Sequence, residues 1–386
     1  MTNETVVPQL RFPEYNNEWC TKSISEVLKI GSGSDYKHLS QGNVPVFGTG
    51  GIMTYVNDFL YDGETVCIGR KGTIDKPVYF NGKIWTVDTL FYTHSFNGLI
   101  PKFAYCLFQK INWKRYSEAS GVPSLSKNTI EKIEIVLPSL PEQEKIASFL
   151  FSIDKQIHLL EKEKALLEKF KKGVFQKIFN QEIRFKDDNG NDFPAWEEKK
   201  LGDIGVNYNG LTGKSKEDFG SGKPYVQYKQ IFDQSKIDVL KFQYVNVLEN
   251  ENQNTVEYGD ILFTTSSETP NEIGTSSVML DKIEDLYLNS FGFRPNSLEV
   301  LVPEFSRFYF QSHKIRTEII KLAQGSIRYN LSKTEFLKLS ISLPSKDEQS
   351  KIGKYLSQIE TTIDKKVIEI ENTYLFKKSL LQKMFV

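Results

Sequence analysis

Basic, hydroxyl and amide side chains at strand ends are the groups of this chain best placed to do chemistry, and that chemistry is recognition. Arg70-Lys71-Gly72-Thr73 follows an apolar, strand-like run and leads into a turn. Arginine or lysine there can grip guanine O6 and N7, or a phosphate. A solvated turn is the alternative for any one of them taken singly. In the second half the matching place holds Thr265-Ser266-Ser267, with no basic residue. Lys214 and Lys216 follow the glycine-rich Asn209-Gly210-Leu211-Thr212-Gly213, and Gln227, Tyr228 and Lys229 extend a strand. Ser120-Gly121-Val122-Pro123-Ser124 parallels Gly325-Ser326-Ile327-Arg328-Tyr329-Asn330, and both run into Leu-Ser-Lys, at 125–127 and 331–333. Backbone N–H groups of such a loop, with Ser124, Ser126 and Lys127, or with Ser326, Arg328, Asn330, Ser332 and Lys333, suit a phosphate. An ordinary helix or strand cap is an equal alternative.

No catalytic set accompanies these groups. Gly48-Thr49-Gly50-Gly51 does not match G-x-G-x-x-G and reads as a tight turn. No Walker lysine, H-E-x-x-H or G-x-S-x-G pattern occurs. His38, His94, His158 and His313 stand apart from partners, and Asp75-Lys76 or Glu64 with Arg70 has only generic spacing. Cys20, Cys67 and Cys106 are far apart, without C-x-x-C, and read as reduced packing residues. The chain reads as a recognition protein that carries no metal.

The elements that position these groups come in two copies. Residues 125–179 and 331–385 repeat without a gap, 206 positions apart: Leu137-Pro138-Ser139 with Leu343-Pro344-Ser345, Glu142-Gln143 with Glu348-Gln349, Phe170-Lys171-Lys172 with Phe376-Lys377-Lys378. One polypeptide built from two copies of a unit predicts internal two-fold symmetry, which suits a duplex. Each half opens similarly, with Phe12-Pro13 and Trp19, then Phe193-Pro194 and Trp196. Short apolar stretches follow, broken by Gly, Asn and Asp: Val44–Phe47, Thr65–Ile68, Ile84–Tyr92, then Tyr225–Gln227, Asp260–Phe263, Ser277–Leu280. These predict short strands with turns. Tyr61–Ile68 and Glu257–Thr264 read as the same turn followed by a strand. Helical patches are predicted at Lys102–Tyr116 and Glu304–Ala323.

Each half closes on a long helix, starting near Pro141 and Ser345, with acidic residues in the first turn and lysines in the last. Ile146, Leu150, Ile153, Ile157 and Leu160 recur in steps of four and three, continuing through Leu167, Phe170, Val174 and Ile178. Ile352, Leu356, Ile359, Ile363, Val367 and Ile370 do the same in the second copy. That spacing is a coiled-coil seam, and residues 141–179 would span roughly 58 Å. The seam is best buried against its own repeat. The fold expected is therefore α+β: two β-rich domains in pseudo-two-fold arrangement, separated by an antiparallel two-helix coiled coil, a dumbbell. The divisions fall at 1–136, 137–180, 181–342 and 343–386.

Charge gives no simple pointer to nucleic acid. The chain has 49 basic and 49 acidic residues; residues 1–136 hold 14 and 13, and residues 180–342 hold 19 and 24. A DNA-binding face then needs local clustering of charge, or a partner that clamps phosphate. No eighteen-residue apolar run or signal pattern occurs, so a cytoplasmic location without membrane contact is expected.

With these residues assembled, the chain resembles the specificity subunit of Type I restriction–modification systems. LPSLPEQEKIASFL at 137–150, LPSKDEQSKIGKYL at 343–356, the FKK…QK-(I/M)-F endings, the F-P…W openings and Gly259-Asp260-Ile261-Leu262-Phe263 carry the resemblance. It implies two target-recognition domains, each reading one half of a bipartite, asymmetric site in double-stranded DNA. The helices become the spacer ruler and the dock for two modification (methyltransferase) subunits. Restriction (motor and nuclease) subunits are further partners. S-adenosylmethionine, ATP and Mg2+ are implied on those partners, with no cofactor on this chain. The competing expectations are a self-contained endonuclease or methyltransferase with degenerate motifs, and a coiled-coil scaffold joining two protein-binding domains.

Overall fold

The computed structural model describes residues 7–325 and 328–386. The chain divides into two compact units. Unit 1 comprises residues up to Lys162 together with Val367–Val386, and unit 2 comprises Glu163–Lys366.

Unit 1 is built on a six-stranded sheet in the order Lys29–Ser32, Leu90–His94, Tyr61–Gly69, Val78–Thr86, Gln41–Gly48, Gly51–Val56. The hydrophobic strands predicted at 44–47 and 65–68 lie in it; the stretch predicted at 84–92 is instead the end of one strand and the start of the next, with a turn at 87–89 between them. Tyr61–Gly69 differs from the expectation. No turn precedes the strand; Tyr61 to Cys67 pair continuously with Ile84 to Val78. Gly63, at φ 143°, accommodates the ladder without breaking it. The helix Pro101–Lys110 packs its Phe103, Ala104, Leu107 and Phe108 into the core beside Trp113. Cys67 and Cys106 are buried, and burial pushes both thiols up to about 12. Cys20 does not pack as expected: it stands exposed on an outer two-stranded ladder.

Unit 2 divides the same frame into smaller sheets. Gly205–Asn209, Phe291–Pro295, Ile261–Phe263 and Ser276–Val278 form one; Gln243–Val245, Phe219–Val226 and Tyr287–Leu288 form another. Here the turn at Tyr258-Gly259 does precede the strand, with Gly259 at φ 90°. The second helical patch is two helices, Pro303–Tyr309 and His313–Lys321.

The long helices run Leu140–Phe179 and Lys346–Met384. Ser345 begins the second, its Oγ accepting from Glu348 N at 3.5 Å. The first stops at Gln181, whose φ of 60° turns the chain out of helical geometry. Within unit 1 the start of the first helix meets the end of the second. Ile146, Leu150, Ile153 and Ile157 share one core with Leu380, Met384 and Phe385. Asp154 Oδ1 accepts from Lys377 Nζ at 2.6 Å, and Glu161 Oε1 accepts from Tyr374 OH at 2.8 Å. Rising numbers on one helix face falling numbers on the other, so the pair is antiparallel. Within unit 2 the remaining segments repeat the arrangement. Ile178 and Phe179 share a core with Ile352, Leu356 and Ile359, and Val174 and Ile363 pack against it. Lys171 donates to Glu360 at 2.5 Å, and Lys366 lies 3.1 Å from Glu163. Asp154 and Glu360, like Lys171 and Lys377, occupy corresponding repeat positions. Leu160 is buried and Ile370 half-buried. The expected seam departs at Phe170, which is 51% exposed.

The repeated Glu-Gln at each helix start is structural. Glu142 is buried and takes both Arg11 Nε and Nη2, at 2.7 and 2.8 Å; Glu348 does the same with Arg184, at 3.1 and 2.6 Å. Gln143 accepts from Ile100 N and donates to Gly98 O and Pro138 O. Gln349 accepts from Val302 N and donates to Val300 O and Pro344 O. Both polar groups are thereby satisfied inside each core.

These contacts also correct the match between the two openings. Phe12 packs edge-on against Phe149 at 5.9 Å and lies under Lys145. In unit 2 those contacts are shared out: Phe185 packs on Tyr355, and Phe193 lies under Lys351. The common signal is Arg-Phe, 11–12 and 184–185, and Phe193 takes only half of the role.

Candidate nucleic-acid interface

One small ladder recurs in both units and gathers the candidate side chains. In unit 1, Lys71 bridges Ser124 in antiparallel fashion, Leu125 N donates to Arg70 O, and Gly72 N donates to Pro123 O. In unit 2, Ser266 pairs Asn330, Ser267 pairs Tyr329, and Leu331 N donates to Thr265 O. The backbone bonds make Arg70-Lys71 equivalent to Thr265-Ser266, as the sequence match proposed.

In unit 1 this ladder walls a groove that brings together Arg70, Lys71, Ser124, Ser126 and Lys127. Arg70 is exposed; its Nη1 donates to Asp88 O at 3.2 Å and its guanidinium lies 5.9 Å from the Phe91 ring. Lys71 points into solvent. Lys127 is half exposed, 3.7 Å from Glu131. Thr73 lies outside the groove, half-buried past the turn. Sequence reasoning missed two acidic members, Asp88 and Glu118. Hydrogen bonds from Ser126 and Thr129 hold the Glu118 carboxyl below its ordinary range. A carboxylate among cations is a cytosine N4 acceptor as readily as it is a counter-ion. Nothing in the local sequence of Glu118 announced it, because the ladder, not the spacing, brings it in.

Unit 2 places its cation on the opposite strand. Arg328 is exposed, and its Nη2 donates to Ser266 Oγ at 3.0 Å. Its repeat counterpart in unit 1 is Val122, which is 54% exposed. Asn330 is exposed on the same ladder, and Tyr228 OH donates to Ser266 O at 2.8 Å. Gln227, Tyr228 and Lys229 do not extend a strand as expected: the strand ends at Val226, Gln227 is the N-cap residue of the helix Tyr228–Asp233, and Gln227 and Lys229 line a groove with Asp233 and Lys241. Ser326 lies outside the described residues.

The remaining candidates have local partners. The Lys214 side chain is 5% exposed and donates to Glu251 at 2.7 Å. Lys216 is exposed beside the Ser215–Asp218 capping box. Lys333 donates to Asn209 and sits 5.5 Å from the Phe291 ring, and burial lowers its pKa. Ser126 and Ser332 cap short helices, accepting from Thr129 N and Glu335 N. Their hydroxyls therefore serve the cap that was one of the two expectations.

Among the described residues, no group of three or more His, Cys, Asp or Glu is arranged to hold a metal ion. Among them also, no helix is long and apolar enough to cross a membrane.

Comparison with known proteins supplies the context for this surface. A family described as "Type I restriction modification DNA specificity domain" matches residues 16–169 and again 195–372. A Type I restriction enzyme MjaVIII specificity subunit from Methanocaldococcus jannaschii is 25% identical over 86% of this chain and 78% of its own length. A second subunit from that organism, described as a putative MjaX specificity subunit, is 26% identical over 97% and 86%. The crystal structure of an S subunit from M. genitalium superposes with a TM-score of 0.62 at 17% identity, covering 99% of each chain. The HsdS subunit from Thermoanaerobacter tengcongensis gives 0.52 at 16%, covering 95% and 96%.

Proposed function

Because this chain belongs to the Type I restriction–modification DNA specificity family, the non-catalytic DNA-recognition part of such systems, we propose that it reads a bipartite, asymmetric site. Residues 1–136 and 181–342 are the two target-recognition domains, one for each half-site. The helical segments 137–180 and 343–386 set the spacer and dock two modification subunits. Those subunits supply S-adenosylmethionine and base flipping. Restriction subunits supply ATP- and Mg2+-dependent translocation and cleavage. The complex works in the cytoplasm, where its duplex lies.

The observation that carries this reading is the recurring ladder, Lys71 with Ser124 and Ser266 with Asn330. Two copies of one backbone device carry different side chains at the same positions. Arg70 and Lys71 in one, Arg328 and Asn330 in the other, suit direct readout of bases and phosphate. The neutral net charge agrees with phosphate clamping by partner subunits rather than by this chain alone.

The test is to assemble the chain with its modification subunits and map methylated adenines on genomic DNA. A gapped motif with two specified blocks supports the reading. An ungapped motif, or methylation that does not depend on this chain, contradicts it.

A further inference from the structure

The same frame carries a second difference beside the ladder. In unit 1, Gln41–Gly48 pairs in parallel with Val78–Thr86 through Val46↔Trp85, and antiparallel with Gly51–Val56 through Val44↔Val56. In unit 2, Phe219–Val226 pairs in parallel with Tyr287–Leu288 through Tyr225↔Tyr287, and antiparallel with Gln243–Val245 through Lys223↔Val245. Both strands also carry a register shift, before Val44 and before Lys223. The two hairpins are topological equivalents. Their connections are not alike. Unit 1 turns through Thr49-Gly50 alone, whereas unit 2 inserts residues 227–242 with the helix Tyr228–Asp233.

Each connection abuts the ladder of its own unit. Thr49 Oγ1 lies 4.0 Å from the place a side chain on Gly72 would occupy. A second cavity, lined by Lys37, Thr49, Gly50 and Met53, shares Asp88 and Thr89 with the groove of Arg70 and Lys71. In unit 2 the inserted helix touches the ladder through Tyr228 OH and Ser266 O.

Gly50 is the barest position of this connection. Gly51 needs its φ of 114°, but Gly50 has no such angle, and nothing lies within 4 Å of where its Cβ would stand. Internal packing does not require glycine there. A bare backbone does admit close approach by another molecule. Met53 is 58% exposed next to it.

We propose that this connection is a second base-reading element in each unit: Thr49-Gly50 with Met53 in unit 1, and Gln227, Tyr228 and Lys229 in unit 2. The inference rests on the DNA-reading function proposed above. In unit 1 the Thr49 hydroxyl and the bare peptide at Gly50 meet base edges, the Met53 side chain meets a thymine methyl, and Lys37 meets phosphate. In unit 2 the Gln227 amide suits adenine N6 and N7, and Lys229 suits phosphate or guanine.

The experiment uses the full chain assembled with its modification subunits. Specific duplex affinity and the methylated motif are measured for wild type, for Thr49→Val/Gly50→Ala/Met53→Ala, for Gly50→Ala alone, and for Gln227→Ala/Lys229→Ala. The first triple variant should lose about tenfold or more in affinity for the methylated site. Its motif should relax in one half only, and the Gln227/Lys229 variant should relax the other half only. Gly50→Ala should fold as wild type, with an unshifted melting temperature, and lose part of the same affinity. Motif and affinity unchanged in these variants, while wild type retains a specific site, overturn the inference alone. Absence of any specific site in wild type overturns the parent function, and this inference with it.

Discussion

Unit 1 and unit 2 agree where they are buried and differ where they are exposed. Glu142 and Glu348 pair alike with Arg11 and Arg184, and Gln143 and Gln349 make matching backbone hydrogen bonds. The ladders Cys20–Ser23 with Glu134–Leu137 and Glu197–Lys200 with Ser340–Leu343 have the same pairing. At the surface ladder the cation moves from Lys71 to Arg328, and the neighbouring connection grows from two residues to a helix-bearing insertion. A shared frame holding exchangeable tips is what the proposed reading of two different half-sites requires.

The largest way to break the comparison is to attack the frame. Ile153 is 5% exposed in the core that the two helices share in unit 1. Ile153→Asp should cost about 4 kcal/mol, since an unpaired charge enters an apolar contact. Thermal unfolding should show unit 1 destabilised; an unchanged melt contradicts the pairing.

Glu142→Ala and Glu348→Ala test whether the frame is equivalent in both copies. Each leaves a guanidinium without its carboxylate, at about 3 kcal/mol. Glu142 also accepts from Trp19 Nε1 at 3.4 Å, whereas Trp196 Nε1 has no hydrogen-bond partner among the described residues. Glu142→Ala should therefore be the worse of the pair in chemical denaturation, and equal losses would deny Trp19 a share.

Smaller effects belong to the surface. Arg70→Ala with Lys71→Ala should weaken specific DNA binding by about 2 kcal/mol and leave the melting temperature alone. Arg328→Ala should do the same for the other half-site. The smallest change is Ser266→Lys, which moves unit 1's cation into unit 2. It should shift base preference in that half-site by about 1 kcal/mol, read by competition between duplexes.

Much of the frame was legible in the residues. Ile146, Leu150, Ile153, Ile352 and Leu356 announced a seam because burial along a helix imposes its period on the sequence. Phe170 broke that reading, since periodicity marks a face and not what covers it. The Arg11–Glu142 pair joins residues 131 positions apart, and no local pattern encodes so long a contact. The surface ladder was partly legible from the Leu-Ser-Lys repeats. Glu118, Val122 and the Thr49-Gly50 tip were not, because exposed loops satisfy no packing rule that would mark them. Lys214 looked free in sequence and is held by Glu251, a partner supplied by tertiary folding alone.

The most direct measurement exchanges residues 12–136 for those of a relative with a different methylation motif, keeping both long helices. Methylated adenines are then mapped with the same modification subunits. One half of the motif should take the donor's sequence while the other half and the spacer stay fixed. A motif altered in both halves, or in neither, contradicts the account of two independent readers on one frame.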